Sequence, residues 1–189
     1  MTDPFSFAAP VALRDGRLAL ARPLTEADVE PLAAFFLGLS DETKSRYGPH
    51  PFDRATAERL CGEASLPCTM RFVAELEGAF IGYMILTRHI WPDDVARYGG
   101  ALRLAECACF APVIADAYQE QGIGTQMARH VLSCARQMGL KQVILMGGVM
   151  AENPRARRLY ERIGFQYRGE FWADYGKGPI LNYNMIIEW

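Results

Sequence analysis

Tyr118-Gln119-Glu120-Gln121-Gly122-Ile123-Gly124-Thr125 joins two segments of different character. Residues 107–115 before it are an apolar run. After it, Ile123, Met127, Val131, Leu132, Ala135 and Met138 recur at helical spacing and define one face. The two glycines therefore stand where a strand gives way to a helix. A helix beginning here leaves its first amide N–H groups without partners, and its dipole adds partial positive charge at the same point. Glycine has no Cβ to keep a ligand away from the backbone. The turn is thus a main-chain anion site suited to phosphate or pyrophosphate. A turn that only packs a helix on a sheet has the same local sequence, so the surroundings must decide.

At 189 residues the chain is long enough for one substantial core, and no linker, repeat or low-complexity tract divides it. Residues 1–10, with Pro4 and Pro10, read as a loose arm, and residues 11–189 as one domain. Half the residues are hydrophobic and 22% are charged, as in ordinary globular proteins. A net charge of −2 gives no reason to expect nucleic acid or an anionic membrane as partner. No apolar run approaches the roughly 20 residues that span a bilayer. Met1-Thr2-Asp3-Pro4 lacks the basic region of a secretory signal, so a cytoplasmic location is the default expectation. Five cysteines, an odd number, argue against a disulfide framework. Cys107 and Cys109 would share one face of a strand and could hold zinc with two more ligands. The three histidines are scattered, however, so buried free thiols and no metal are expected.

From the N-terminus, Val11-Ala12-Leu13, Asp15-Gly16 and Leu18-Ala19-Leu20 read as strand, turn and strand. Thr25 and Asp28 mark a helix start, and Leu32, Phe35, Phe36 and Leu39 continue it. Pro31 favours a regular helix from about Glu30, with a separate turn before it. Residues 45–51 read as loop, and residues 53–64 as a helix capped by Asp53. Strands are expected at 69–75 and 80–88, joined through Leu76-Glu77-Gly78. Residues 89–100 read as a loop with a helical turn, a natural place for substrate contacts. Residues 101–115 follow as a strand, in which Pro112 implies a bulge or lost pairing. The helix from Ile123 stops at Gly139. Residues 141–147 form a short strand buried on both faces. Asn153-Pro154 opens a helix that ends at Gly164, Asn as N-cap and Pro at the first position. Strands at 166–173 and 181–188 close the chain around a turn at 175–179.

Two constellations in this frame resemble the GCN5-related N-acetyltransferase (GNAT) family. Gln119-x-x-Gly122-x-Gly124 is similar to that family's (Arg/Gln)-x-x-Gly-x-(Gly/Ala) signature, which cradles the pyrophosphate of acetyl-CoA. Asn153-x-x-Ala156-x-x-Leu159-Tyr160-x-x-Ile163-Gly164-Phe165 is similar to a second family pattern at the same distance downstream. The resemblance implies an α/β fold of GNAT type: a mixed, mostly antiparallel sheet flanked by helices and splayed between two parallel strands. In it the strand ahead of the glycine turn parts from its neighbour, and the gap admits pantetheine. By the same resemblance, amides of Val113 and Ile114 bond the pantetheine or the acetyl carbonyl. Amides of Gln121, Gly122, Ile123, Gly124 and Thr125, with Gln119 beside them, hold the phosphates. Gln119 brings less charge than the Arg of many relatives, which leaves most of the phosphate binding to main chain.

Seven residues make nearly two helical turns, so Asn153 and Tyr160 share a face about 10 Å apart along the axis. Asn153 can bond the amides of pantetheine, and Tyr160 can protonate the departing thiolate. Taken singly, Asn153 is an N-cap and Tyr160 a core aromatic; together, and in this order, they point to cofactor binding. The expected activity is direct acetyl transfer from acetyl-CoA to a primary amine of a small molecule or protein. Glu106 is the expected general base, with Cys109 standing where relatives place a carboxylate; Asp116 is another candidate, though its place beside the turn suggests a structural role. The alternative is a catalytically silent CoA sensor of the same fold. A homodimer stays open, and the acceptor cannot be read from residues 47–52, 89–100 or the closing strands.

Overall fold

A computed structural model describes residues 7–174, 176 and 178–189. Most of the expected arm lies outside them, and so do Tyr175 and Lys177 of the expected last turn. The arm ends sooner than expected, because residues from Ala9 onward are already strand. The strands are β1 (Ala9–Ala12), β2 (Leu18–Pro23), β3 (Thr69–Leu76), β4 (Ala79–Thr87), β5 (Cys107–Ile114), β6 (Gln142–Leu145), β7 (Val149–Met150), β8 (Gln166–Asp174) and β9 (Pro179–Glu188). The helices are α1 (Val29–Gly38), α2 (Asp41–Ser45), α3 (Arg54–Gly62), α4 (Pro92–Arg97), α5 (Ile123–Gln137) and α6 (Pro154–Arg162).

The strands form one sheet in the order β1-β2-β3-β4-β5-β6-β9-β7, with β8 on the other edge of β9. All neighbours are antiparallel except β5 and β6, which are parallel. Alternation along the central strands feeds two cores. Val73, Tyr83, Ile85, Ala111 and Val113 face α1 and α3. Phe72, Met84, Leu86, Ala108 and Phe110 face α5 and α6. The helical stripe of α5 buries Ile123, Met127, Val131, Leu132 and Ala135 on the second face, and Met138 packs beside them partly exposed. The exposed edge of β1 is closed off by α5: the Gln126 amide accepts from Ala12 N–H at 3.0 Å and donates to Ala12 O at 2.8 Å.

Pro31 does shift the first helix. Glu26–Asp28 is a short 3-10 turn, and the regular helix runs from Val29. The Asp28 carboxylate anchors this corner. It takes both Arg22 Nη atoms at 2.7 and 2.8 Å and the Thr25 N–H at 2.7 Å, while Arg22 also reaches Glu75. Burial works to raise the Asp28 pKa, but the bonds from Arg22 and Thr25 outweigh it and hold the carboxyl below its ordinary value. The corresponding stability is present above about pH 4, where an unfolded Asp is ionised. It is lost as pH falls through the lower folded value. Asp28→Asn leaves Arg22 with half its partners in a buried corner, and should cost about 3 kcal/mol in urea unfolding at pH 7.

Strand β5 is shorter than expected. Leu104–Glu106 is a 3-10 turn, closed by Glu106 N–H on Arg103 O at 2.8 Å, and the strand begins at Cys107. Two short elements, α2 and β7, were not expected at all. Among the described residues no helix is long and apolar enough to cross a membrane.

Candidate active site

The site begins where β6 leaves β5. The parallel pairing runs only from Cys107↔Gln142 to Phe110↔Leu145, with a last bond from Met146 N–H to Phe110 O at 3.0 Å. Gly147 and Gly148 then take positive φ, +68° and +74°, and turn the chain away. Gly148 has no room for a side chain, since a Cβ would lie 2.8 Å from Phe171 and from Tyr183 O. β5 meanwhile continues beside β4 as far as Ile114↔Gly82. Pro112 sits in this extension, so the lost pairing expected there occurs on its β6 side only.

The next bond of the β4 ladder, Ala115 N–H to Ile81 O at 2.9 Å, fixes the alternation. Antiparallel pairs alternate between hydrogen-bonded and open, so Val113 bonds Tyr83 and Ile114 turns its polar groups to the splayed side. Val113 was expected to offer a free amide; the register assigns its N–H to β4. Ile114 offers the amide on the open edge, and its carbonyl accepts from Gln119 Nε2 at 2.9 Å.

The splay opens into a cavity of about 1460 Å³. Ordinary small-ligand pockets hold about 300–1,000 Å³, so there is space for a long cosubstrate and an acceptor together. At one end lies the N-terminus of α5. Gly122 is its N-cap with φ +86° and no side-chain cap, and the first helical bond is Gln126 N–H to Gly122 O at 3.1 Å. The amides of Ile123, Gly124 and Thr125 therefore have no helical partner. Gly122, Gly124 and Thr125 line the cavity. Ile123 is fully buried in the core, and the Gln121 side chain is turned onto Ala117 O, so only their main chain can serve a ligand. Gln119 braces the turn, donating to Ile114 O and to Thr43 Oγ1. Asp116 is structural, as expected: it accepts from Ser40 N–H, Ser40 Oγ and Thr43 Oγ1 and ties α2 to the turn.

Positive charge is richer than the motif implied. Arg14, Lys44, Arg46, Arg155, Arg158 and Arg162 all line the cavity. Of these, Arg46 pairs with Glu42 and Arg155 lies 3.9 Å from Glu120, while Arg14, Arg158 and Arg162 have no ion pair among the described residues. Main-chain donors and several guanidinium groups suit a molecule with several phosphates, so this end fits the diphosphate and ribose phosphate of CoA.

Asn153 and Tyr160 both line the same cavity from α6. Asn153 Oδ1 caps the helix, accepting from Ala156 N–H at 3.1 Å, which leaves its Nδ2 donor for a ligand. Tyr160 is 8% exposed, packs on Phe165, and its hydroxyl has no hydrogen-bond partner among the described residues. Burial pushes the Tyr160 phenol far above its ordinary value, so it is protonated at neutral pH and has a proton to give.

Glu106 does not join this group. It was expected on the strand beside the thioester. It lies instead in the turn before Cys107, half-exposed, 3.8 Å from Arg103 and outside the cavity wall. Val113 is seven positions further along the chain, about 23 Å at the strand rise. A different carboxylate lines the cavity. Asp94, in the first turn of α4, is 2% exposed and lines the cavity beside the opening of the sheet. It pairs with Arg97, accepts from Gly147 N–H at 3.3 Å, and stands 3.9 Å from Cys109 Sγ. Arg97 is held in turn by Asn184 Oδ1 at 3.1 Å and lies over the Phe171 ring at 4.0 Å. Burial raises the Asp94 carboxyl above its ordinary value, against the pull of Arg97 and the Gly147 amide. The signal for Asp94 was in the sequence: Pro92-Asp93-Asp94 is a helix start with acidic first-turn residues. Cys107 and Cys109 share a face as expected, fully buried, and burial pushes the Cys107 thiol up to about 12. Among the described residues no group of His, Cys, Asp and Glu is arranged to hold a metal.

Residues 17–166 match the family model for the acetyltransferase (GNAT) domain. An acetyltransferase of Pseudomonas aeruginosa is 29% identical over 154 residues, which cover 82% of this chain and 78% of that protein. The GNAT domain of PAT from S. lividans superposes with a TM-score of 0.76 at 23% identity, covering 99% of each chain. The putative acetyltransferase yncA from Salmonella typhimurium, solved with its cofactor acetyl-CoA, gives 0.66 at 14% identity, covering 90% of this chain and 93% of that one. The chain belongs to the GNAT acetyltransferases.

Proposed function

We propose that the chain is an acetyl-CoA-dependent N-acetyltransferase that passes the acetyl group directly to a primary amine. The observation that carries this reading is one cavity lined both by the N-terminus of α5 with its basic neighbours and by Asp94, Asn153 and Tyr160. Bound acetyl-CoA would supply an activated acyl carbon and a thiolate leaving group. The Ile114 amide, on the free edge of β5, would donate to the acyl oxygen as it gains negative charge. Asn153 Nδ2 would hold the amide-bearing arm. Tyr160 would give its proton to sulfur. An amine attacks only when neutral, so a base must take its proton, and Asp94 is the buried carboxylate placed to do so. With Asp94 in that role, the absence of Glu106 from the cavity no longer favours a silent CoA sensor.

Release of free CoA thiol across a panel of amines tests the activity; no release with any amine would leave the sensor reading. Asp94→Asn should lower kcat by about 100-fold. The base works ionised, so wild-type activity should rise with pH through the raised Asp94 pKa, on the alkaline side of ordinary carboxylates. That rising limb should disappear in the variant. An unchanged pH profile would show that Asp94 is not the base.

A further inference from the structure

Behind the main cavity lies a side pocket of about 250 Å³, and the two share Pro49, Trp91 and Met146 as walls. It is smaller than an ordinary small-ligand site, so it can hold part of a molecule whose remainder lies in the main cavity. Arg71, on β3, lines it. The Arg71 side chain is 9% exposed and pairs through Nη2 with Glu63 at 3.0 Å. Among the described residues its Nε and Nη1 are buried without a hydrogen-bond partner of good geometry, with the Tyr83 hydroxyl nearby. Among the described residues the Tyr47 hydroxyl is also buried and unpartnered, and Tyr47 lines the main cavity. Buried donors without partners are rare, and rarest on a charged group.

The charge at the side pocket is unbalanced in the same direction. Glu63 is shared between Arg59 at 3.0 Å and Arg71 at 3.0 Å, so two guanidinium groups face one carboxylate. His50, which also lines the pocket, adds no charge at neutral pH: burial lowers its pKa, and Arg71 and Arg59 lower it further. Burial pushes the Tyr47 phenol up, so it remains a donor. Trp91 and Met146 line the main cavity together with Asp94, whose partner Gly147 follows Met146 in the chain. Cationic donors thus line one cavity and an acidic group the other, and the two cavities share Pro49, Trp91 and Met146.

We propose that the side pocket binds a carboxylate of the acceptor, so that the acceptor is a small amino-acid-like molecule with its anionic group on Arg71 and its amine directed to Asp94. This rests on the acetyltransferase reading for the amine end, whereas the anion end can be tested without catalysis. The acceptor's carboxylate would complete the Arg71 valence and accept from the Tyr47 hydroxyl. Its amine would then lie in the main cavity near the opening of the sheet.

The test uses the full chain and matched probes: the common amino acids, each paired with the amine left when its carboxylate is removed, such as lysine with cadaverine and tyrosine with tyramine. Binding is read from Trp91-sensitive fluorescence and thermal shift, with CoA present and without acetyl-CoA. At least one amino acid should bind about 10- to 100-fold more tightly than its decarboxylated partner, the ratio of one or two charge-assisted hydrogen bonds. Arg71→Gln should reduce that ratio to less than about threefold. Tyr47→Phe removes a hydroxyl that bonds nothing among the described residues, so it should fold normally and still lower the ratio measurably. Equal binding within every pair, or no binding by any probe, overturns the proposal and leaves bound water as the partner of these donors. Acetyl transfer to an amine lacking a carboxylate, with no such preference, would overturn it while sustaining the acetyltransferase reading. A carboxylate preference in binding with no acetyl transfer would sustain the subsite and overturn that reading.

Discussion

Tyr160→Phe should lower kcat by about 100- to 1,000-fold while the Kd for acetyl-CoA changes less than about threefold. The separation follows from the surroundings of the phenol. Its ring packs on Phe165 within the core that α5 and α6 share, and a Phe ring fills the same volume. Its hydroxyl bonds nothing else in the described structure, so removing it strands no buried partner and should leave stability nearly unchanged. What is lost is a proton donor that burial keeps protonated at working pH. Stopped-flow or steady-state turnover beside calorimetric binding separates the two effects. Equal loss of turnover and affinity, or loss of neither, would contradict the acid role.

Gly124→Leu should weaken acetyl-CoA binding by at least about 100-fold, which is about 2.7 kcal/mol. A Cβ at this position would lie 3.4 Å from Ile114 Cγ1 and 3.9 Å from Leu159 Cδ2, both ordinary contacts. Gly124→Ala should therefore be tolerated, with affinity within about tenfold of the parent, the loss expected from one crowded methyl group. The remaining carbons of a leucine have to extend beyond Cβ, and Gly124, Ile114 and Leu159 all line the cavity at this point. The same change replaces glycine with a good helix former in the first turn of α5, worth up to about 0.8 kcal/mol in helix propensity. The variant should thus melt no more than a few degrees below the parent, while losing its ligand. Retained affinity would mean that CoA enters by another route.

The glycine turn, Asn153 and Tyr160 could be found in the sequence because each belongs to a local pattern. A helix start and a seven-residue spacing fix which face they share, and tertiary structure then brings α5 and α6 to one cavity. The long periodic elements were readable for the same reason. The short ones were not. α2 is five residues held by its own Ser40 cap and by Asp116, a contact that no local pattern announces. Glu106 was misplaced because Ala101-Leu102-Arg103-Leu104 alternates like a strand, while residues 101–103 form no regular element and Leu104–Glu106 makes a 3-10 turn. Pro92-Asp93-Asp94 marked a helix start, and Arg155, Arg158 and Arg162 recur at helical spacing on α6, but neither pattern says which cavity they line. Arg71 carries no local pattern, and what it faces is set by long-range packing. Val113 shows the same limit at finer scale: whether its amide is free depends on the phase of the β4 ladder, which Ala115 and Ile81 fix from outside the motif.

The most direct measurement is calorimetric titration of acetyl-CoA into the full chain at low and high salt. The account predicts one saturable site per chain in the micromolar to millimolar range, with affinity falling as salt screens the arginines around the α5 N-terminus. An absence of both heat and saturation at millimolar acetyl-CoA would contradict it.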